Sequence, residues 1–117
     1  MKVNGIEYGG QHNTAISYTL DNGTQVGDAV TATAAGTAGR GTADAALLGK
    51  VSTKEFDGIG AVTKRGVIVV PWTGAAVFGL QKIGVDGSGR AKVSATGRNC
   101  DVIAVDTSAN LAAIDLG

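Results

Sequence analysis

The stretch RGVIVVPWTG, residues 65–74, decides the fold class. Its centre, residues 67–70, consists of four consecutive β-branched side chains, which favour extended strands over helices. Because this run is apolar on both faces, we expect a strand that is covered on both sides and lies at the centre of a sheet. Pro71 has no backbone donor and ends the ladder, and glycines on either side permit turns.

Outward from this stretch, short apolar runs alternate with turn residues along the whole chain of 117 residues. Nineteen glycines against one proline supply the tight turns. Turn signals recur about every ten residues, a spacing typical of barrels and sandwiches rather than of βαβ units. The predicted strands are residues 15–20, 25–33, 47–56, 59–64, 67–72, 76–85, 90–95, 102–106 and 111–116. The sequence therefore predicts an all-β fold, a small glycine-rich β-barrel.

Three local features between these strands carry their own predictions. Asp21-Asn22-Gly23 favours a type I′ hairpin joining the first two strands. Residues 34–41 are small and glycine-rich, which predicts an exposed loop. Residues 42–48 are alanine-rich and begin with a plausible cap, but Gly49 ends them within two turns, so we expect no stable helix there.

Residues 1–14 differ from the rest and are predicted as an N-terminal arm, with residues 15–117 as the β-barrel domain. Val3, Ile6 and Tyr8 give an apolar, strand-like pattern, and Gly9-Gly10 then separates it from the barrel. Two interpretations stay open: an arm that docks on another protein, or a first strand of the barrel followed by a loose loop.

Two parts of the chain show a weak internal similarity. Residues 27–31 and residues 79–83 each begin with glycine and open a segment that passes through Gly-Arg, at Gly39-Arg40 and Gly89-Arg90 respectively. The identities are too few to establish a duplication from sequence.

Charge and composition narrow the class of function. Ten basic and ten acidic residues cancel, so no field attracts nucleic acid or an anionic membrane. A single cysteine cannot form an internal disulfide, and no segment reaches about 18 consecutive apolar residues. The start of the chain lacks the apolar stretch of a signal peptide. We therefore expect a soluble protein that is made in a cytoplasm.

Catalytic and metal-binding patterns are missing from the sequence. His12 and Cys100 are the only residues of their types, and the glycine-flanked histidine is poorly placed to serve as a base for the thiol. The aspartates are scattered singly, several of them in turns, so no metal, cofactor or small-molecule site is predicted. Residues 36–42 lack the lysine of a phosphate-binding loop, and five dispersed aromatic residues argue against a carbohydrate-binding barrel. We expect no enzymatic activity.

A series of strand and turn signatures then carries a resemblance to a known family. They are Gly27-Asp28-Ala29-Val30, Gly49-Lys50-Val51, Glu55-Phe56-Asp57-Gly58, Ala61-Val62, the stretch 65–74, Gly79, Val85-Asp86-Gly87-Ser88-Gly89, Ala95-Thr96-Gly97-Arg98 and Val102-Ile103-Ala104-Val105-Asp106. Over roughly residues 15–117 the chain resembles the small capsid decoration, or cement, proteins of tailed bacteriophages, including the β-tulip type.

The resemblance implies a structural role in a virion. It implies a barrel that binds the outer surface of a phage head, commonly as a homotrimer at three-fold positions, and stabilises the major capsid protein lattice. An arm containing Val3, Ile6 and Tyr8 would then bind the capsid by adding a strand. The alternative is a β-module of a phage tail, fibre or baseplate, which would share the same glycine-rich strands.

Overall fold

The computed structural model describes residues 2–3, 6–7, 13–55 and 57–117. These residues form strands and turns and contain no helix, so the predicted all-β class is confirmed. The strands are β1 Lys2–Val3, β2 Ile6–Glu7, β3 Thr14–Leu20, β4 Ala29–Ala34, β5 Thr37–Gly39, β6 Gly49–Val51, β7 Ile59–Arg65, β8 Val67–Pro71, β9 Gly79–Val85, β10 Ala91–Val93, β11 Arg98–Asp106 and β12 Leu111–Asp115.

The first half of the domain is a closed five-stranded barrel in the order β3-β5-β4-β6-β7. Adjacent strands of the barrel pair antiparallel, except for β3 and β5, which pair parallel. Its interior is small and aliphatic. The buried members are Leu20, Val30, Ala38, Val51 and Val62. The predicted β-barrel is therefore confirmed.

The second half is a five-stranded antiparallel sheet in the order β10-β9-β11-β12-β8. Its two outer strands approach each other at one point, where Trp72, just after β8, forms a parallel bridge with Ala91 of β10. The Thr73 amide donates to the Ala91 carbonyl at 3.0 Å and reinforces this contact. The sheet thus curls almost into a second barrel.

The two halves share one strand order, which gives the internal similarity a structural basis. In each, the first strand pairs with the fifth and runs parallel to the third. The register repeats after 52 residues, since Thr19 pairs with Ile59 in the barrel and Pro71 pairs with Leu111 in the second sheet.

The glycines that carry the internal similarity occupy equivalent structural positions only in part. Gly27 and Gly79 both have positive φ, 93° and 78°. Gly27 lies two residues before the second strand of the barrel, and Gly79 is the first residue of the second strand of the other half. The two Gly-Arg pairs do not correspond, because the turn that Gly89 occupies in the second sheet is occupied by Gly36 in the barrel. Positive φ, which glycine adopts without strain, is what the halves share at these points.

The largest core lies inside the second sheet and draws residues from the barrel half. Trp72, Ile83, Val85 and Ile114 are among its buried members, and Ala29 and Leu47 enter it from the first half. The segment around Leu47 crosses onto the sheet, where its amide donates to the Ile83 carbonyl at 3.2 Å. The main core therefore contains side chains from both halves.

Arg98 adds polar contacts to this junction. Its guanidinium donates to three carbonyls, those of Leu48 at 2.9 Å, Lys64 at 3.2 Å and Leu116 at 3.0 Å. The first two belong to the barrel half and the third lies near the end of the chain. A single half-buried side chain thus satisfies acceptors from both halves.

Strand β8 corrects one sequence-based expectation. It is an outer strand of the second sheet, not a central one. Its burial on both faces was predicted correctly, because Ile68 and Val70 face the main core while Val69 packs with Ala104 and Ala113 on the other face. Covering a face requires packed side chains above the sheet, whereas a central position requires strand neighbours in its plane.

The structure also differs from two expectations about loops, the hairpin after β3 and the exposed loop at residues 34–41. Strands β3 and β4 do not form a hairpin, because β3 pairs with β5 and β7 instead and the Asp21 amide donates to the Ala38 carbonyl at 2.9 Å. Residues 34–41 are not simply an exposed loop, since β5 lies within them and buries Ala38 and Gly39. Small residues fit there because the strand lies against the side chain of Asp21.

Residues 1–14 are described only in part. Strands β1 and β2 pair antiparallel, with Val3 opposite Ile6, and β1 lies near β11 and β12. Tyr8 and His12 lie outside the described residues. Asn13 joins the segment to the second sheet, since its side chain exchanges two hydrogen bonds of 2.9 Å with the backbone of Val67.

Candidate interaction surface

The most exposed large apolar side chains of the described residues lie around the start of β9. Phe78 is 81% exposed and Leu80 is 84% exposed, and Val93 of the neighbouring β10 is 43% exposed. We call these three residues and the cleft beside them the β9 surface. Isolated apolar side chains are common on protein surfaces, but a group of large ones is typical of a contact with another protein.

The loop of residues 73–78 holds Phe78 outward. Trp72 anchors its start, since the buried indole donates to the carbonyl of Ala75 at 3.2 Å. The Gln81 amide fixes its end by donating to the carbonyl of Phe78 at 3.1 Å. Gly74 and Gly79 have positive φ, which lets the chain turn at both ends of the loop. The exposed ring is thus presented by a loop that is tied at both ends.

A cleft of about 570 Å³ opens beside this loop. Its lining residues are Ala43, Trp72, Thr73, Gly74, Ala75, Val77, Asp86, Lys92 and Val93. Lys92 at its rim forms an ion pair with Asp44 at 3.0 Å, and this hydrogen bond holds the pKa of the Asp44 carboxyl below its usual range. An apolar floor with a charged rim is the usual composition of a protein contact.

Part of β9 also has an unpaired edge. Strand β10 pairs with residues 83–85 of β9, and the Ser94 amide extends the ladder to the carbonyl of Lys82. On that side, no strand of the described part of the chain pairs with residues 79–81, although β11 pairs with them on the other side. Such an edge can accept a strand from another chain.

The residues singled out from sequence lie elsewhere. Val3 and Ile6 belong to the β1–β2 pair, and Tyr8 lies outside the described residues, so the predicted capsid-binding arm is untested. Cys100 is buried in the main core, and burial raises the pKa of its thiol, so it is protonated and a poor nucleophile at neutral pH.

Within residues 13–55 and 57–117, no group of three or more His, Cys, Asp or Glu side chains could hold a metal ion. The described residues also include no helix that is long and apolar enough to cross a membrane.

Sequence reasoning missed the β9 surface. Residues 76–85 were predicted to be one strand, whereas β9 begins only at Gly79 and the residues before it form the exposed loop. The signal available was the pair of glycines that brackets Phe78, at positions 74 and 79. Apolar side chains between two turn glycines fit an exposed loop as well as a strand.

Comparison with known proteins shows a likeness to a solved structure. No protein-family model matches the sequence, and no curated protein matches it with significance. A chain in the solved structure "The capsid of Myoviridae Phage XM1" is similar in fold, with a TM-score of 0.60 and 17% sequence identity. The match covers 90% of this chain and 83% of that chain. At such low identity the likeness shows a shared fold alone.

Proposed function

We propose that this chain is a structural virion protein that binds the outside of a bacteriophage head and stabilises the major capsid protein lattice. The observation that carries the proposal is the fold, which is shared over 90% of the chain with a chain of a phage capsid structure. The family resemblance of the sequence leads to the same role. No catalytic step is part of the proposal.

The β9 surface is one of the faces that would meet the capsid. Phe78 and Leu80 are large, apolar and almost fully exposed, so their burial against a partner is favourable by roughly 1.5–3 kcal/mol for each side chain. The unpaired edge at residues 79–81 would add main-chain hydrogen bonds. Many copies on one shell then convert a modest contact into a large gain in shell stability.

The proposed assembly is a homotrimer at three-fold positions of the shell. A trimer placed there gives each chain an equivalent partner. The formal net charge of zero opposes neither self-association nor close packing on a lattice. Native mass spectrometry of the purified protein, and of protein released from heads, tests the oligomer number.

Within the predicted arm of residues 1–14, the part before Asn13 is proposed to contribute more to capsid binding than to folding. Asn13 bonds to Val67 and therefore belongs with the folded domain. A variant beginning at Asn13 should melt at nearly the same temperature as the full chain and bind heads more weakly. If that variant is unfolded, the segment is an integral part of the domain and the arm proposal fails.

The role is tested with phage heads prepared with and without this protein. Heads that carry it should release their DNA at a higher temperature, because the shell lattice is held together by additional contacts. Leu80→Ser and Phe78→Ser should reduce head binding by roughly tenfold each, as expected from losing an apolar anchor. Ile16→Ser is the matched control, because Ile16 is 48% exposed on the barrel, away from the β9 surface.

Equal release temperatures for the two kinds of head would contradict the stabilising role. Electron microscopy that finds the protein on tails, fibres or baseplates would replace it with the tail-module alternative. If Ile16→Ser weakens binding as much as Leu80→Ser does, the capsid contact lies on a different face.

A further inference from the structure

The half-buried basic side chains of the described residues differ in their partners. Arg40 forms an ion pair with Asp28 at 2.7 Å, and Lys92 pairs with Asp44. Arg98 donates to three carbonyls, and the ammonium of Lys64 lies 5.5 Å from the centre of the Tyr18 ring. Among the half-buried cations in the described part of the chain, Lys50 alone has no such partner.

Lys50 is the middle residue of β6. Of its two neighbours, Val51 belongs to the barrel core and Gly49 lies against the backbone of Thr63. Lys50 lines a cleft of about 460 Å³, to which the barrel half and β8 both contribute residues. The residues lining it are Asn13, Val26, Gly27, Lys50, Val51, Ser52, Thr63, Val67, Ile68 and Val69. None of them is acidic, and burial lowers the pKa of the Lys50 ammonium.

The polar groups of the cleft do not neutralise this charge. The hydroxyls of Ser52 and Thr63 are hydrogen-bonded to each other, and the Asn13 amide is used by the backbone of Val67. The remaining lining residues are largely aliphatic and include Val26, which is 58% exposed. A partly desolvated cation is stabilised by pairing with an anion, and apolar walls are best covered by apolar groups. The cleft therefore favours an anionic group that has apolar groups next to it.

We propose that the Lys50 cleft is a binding site for a carboxylate, supplied by an aspartate or glutamate side chain of the major capsid protein. This inference rests on the function proposed above. A protein carboxylate fits better than phosphate, because the cleft offers one cation rather than the several donors that a phosphate group takes. Its aliphatic walls can also pack against apolar side chains of the partner that flank such a carboxylate, as in the apolar centre of a protein contact.

The first test compares head binding of Lys50→Met with that of the natural chain. Methionine keeps the apolar stem and removes the charge, so the folded domain should lose no stability, as a thermal melt will show. Binding to heads that lack this protein should weaken by about tenfold or more, and its dependence on salt concentration should become smaller. Arg90→Met is the matched control, since it removes an exposed charge from a turn outside this cleft.

The second test uses the unaltered chain and so does not depend on the folding of a variant. A carbodiimide joins a lysine amine directly to a carboxylate in contact with it, with loss of water, and mass spectrometry identifies the pair. A cross-link from Lys50 to an acidic residue of the major capsid protein is the expected result. A cross-link from Lys50 to another copy of this chain, or to residues 1–12, would overturn the proposal.

The outcomes separate this inference from the function on which it rests. If the natural chain binds heads and Lys50→Met binds equally well, the carboxylate site is wrong and the capsid role stands. If the natural chain does not bind heads at all, the capsid role fails and the partner assigned to Lys50 fails with it.

Discussion

The barrel and the second sheet are built on the same strand order, yet they bury very different side chains. The barrel interior contains one leucine, three valines and one alanine. The second sheet encloses a larger core that includes Trp72, Ile83 and Ile114, and it also takes Leu47 from the barrel half. Equal topology therefore does not imply equal shares of the folding free energy.

The difference indicates which half supports the other. A barrel with so small an interior gains little free energy from burial on its own. Its segment around Leu47 completes the core of the second sheet, so the two halves are expected to unfold together. The second sheet is thus the scaffold, and it also carries the β9 surface.

The largest expected effect compares equivalent positions in the two halves. Leu20 and Trp72 occupy the same place, since each lies beside an alanine of the third strand in parallel pairing. Trp72→Ala should lower the free energy of unfolding by about 3–5 kcal/mol, and Leu20→Ala by about 2–3 kcal/mol. Urea denaturation measures both values, and Trp72→Leu should recover part of the loss. A larger cost at Leu20 would contradict the view that the second sheet is the scaffold.

The next effect concerns the junction between the halves. Arg98→Met leaves the carbonyls of Leu48, Lys64 and Leu116 without their donor and should cost about 2–3 kcal/mol of stability. Denaturation followed by tryptophan fluorescence and by circular dichroism should still give coincident transitions. If the two probes separate, the halves are joined mainly by Arg98 and not by the shared core. Arg90→Met provides the charge-matched control.

A smaller effect is expected where residues 1–14 join the domain. Asn13→Ala removes two side-chain hydrogen bonds to Val67 and should cost about 1–2 kcal/mol. Asn13→Asp keeps the acceptor for the Val67 amide and loses the donor. Its stability should therefore lie between that of the natural chain and that of Asn13→Ala. Thermal melts of the three proteins check this order. No change in Asn13→Ala would show that the segment is held by other contacts.

The smallest effect is expected at Cys100. Cys100→Ala should cost about 1 kcal/mol, because a buried side chain is shortened, and should leave head binding unchanged. His12→Ala should likewise leave binding unchanged. Loss of binding in either variant with the fold preserved would reveal a role for these residues that sequence and structure have not identified.

Several features could be predicted from local sequence because their causes are local. The β-branched run at residues 67–70 forms β8, and the turn at residues 86–90 joins β9 to β10 as expected. Backbone preference and turn chemistry depend on neighbouring residues, so they are visible in the sequence. The pairing of β3 with β5 was missed because a parallel contact depends on residues far apart in the chain.

The candidate sites show the same division more sharply. Lys50 and Arg98 are both basic residues near apolar ones. Arg98 donates to three carbonyls, whereas Lys50 has no such partner among the residues that the structure describes. Phe78 and Val85 both lie in one apolar stretch, yet the first is exposed and the second is buried. Local pattern does not distinguish these cases, since each depends on which distant strand lies opposite.

The sequence by itself determined that this protein is all-β, with glycine turns and no predicted catalytic constellation. Only the tertiary structure decided that the strands divide into a barrel and a second sheet of the same order, and that an apolar surface and a lysine cleft result. The physical reason is that strand propensity and turns are set by a few adjacent residues. Exposure, by contrast, is set by packing between segments that the chain brings together from far apart.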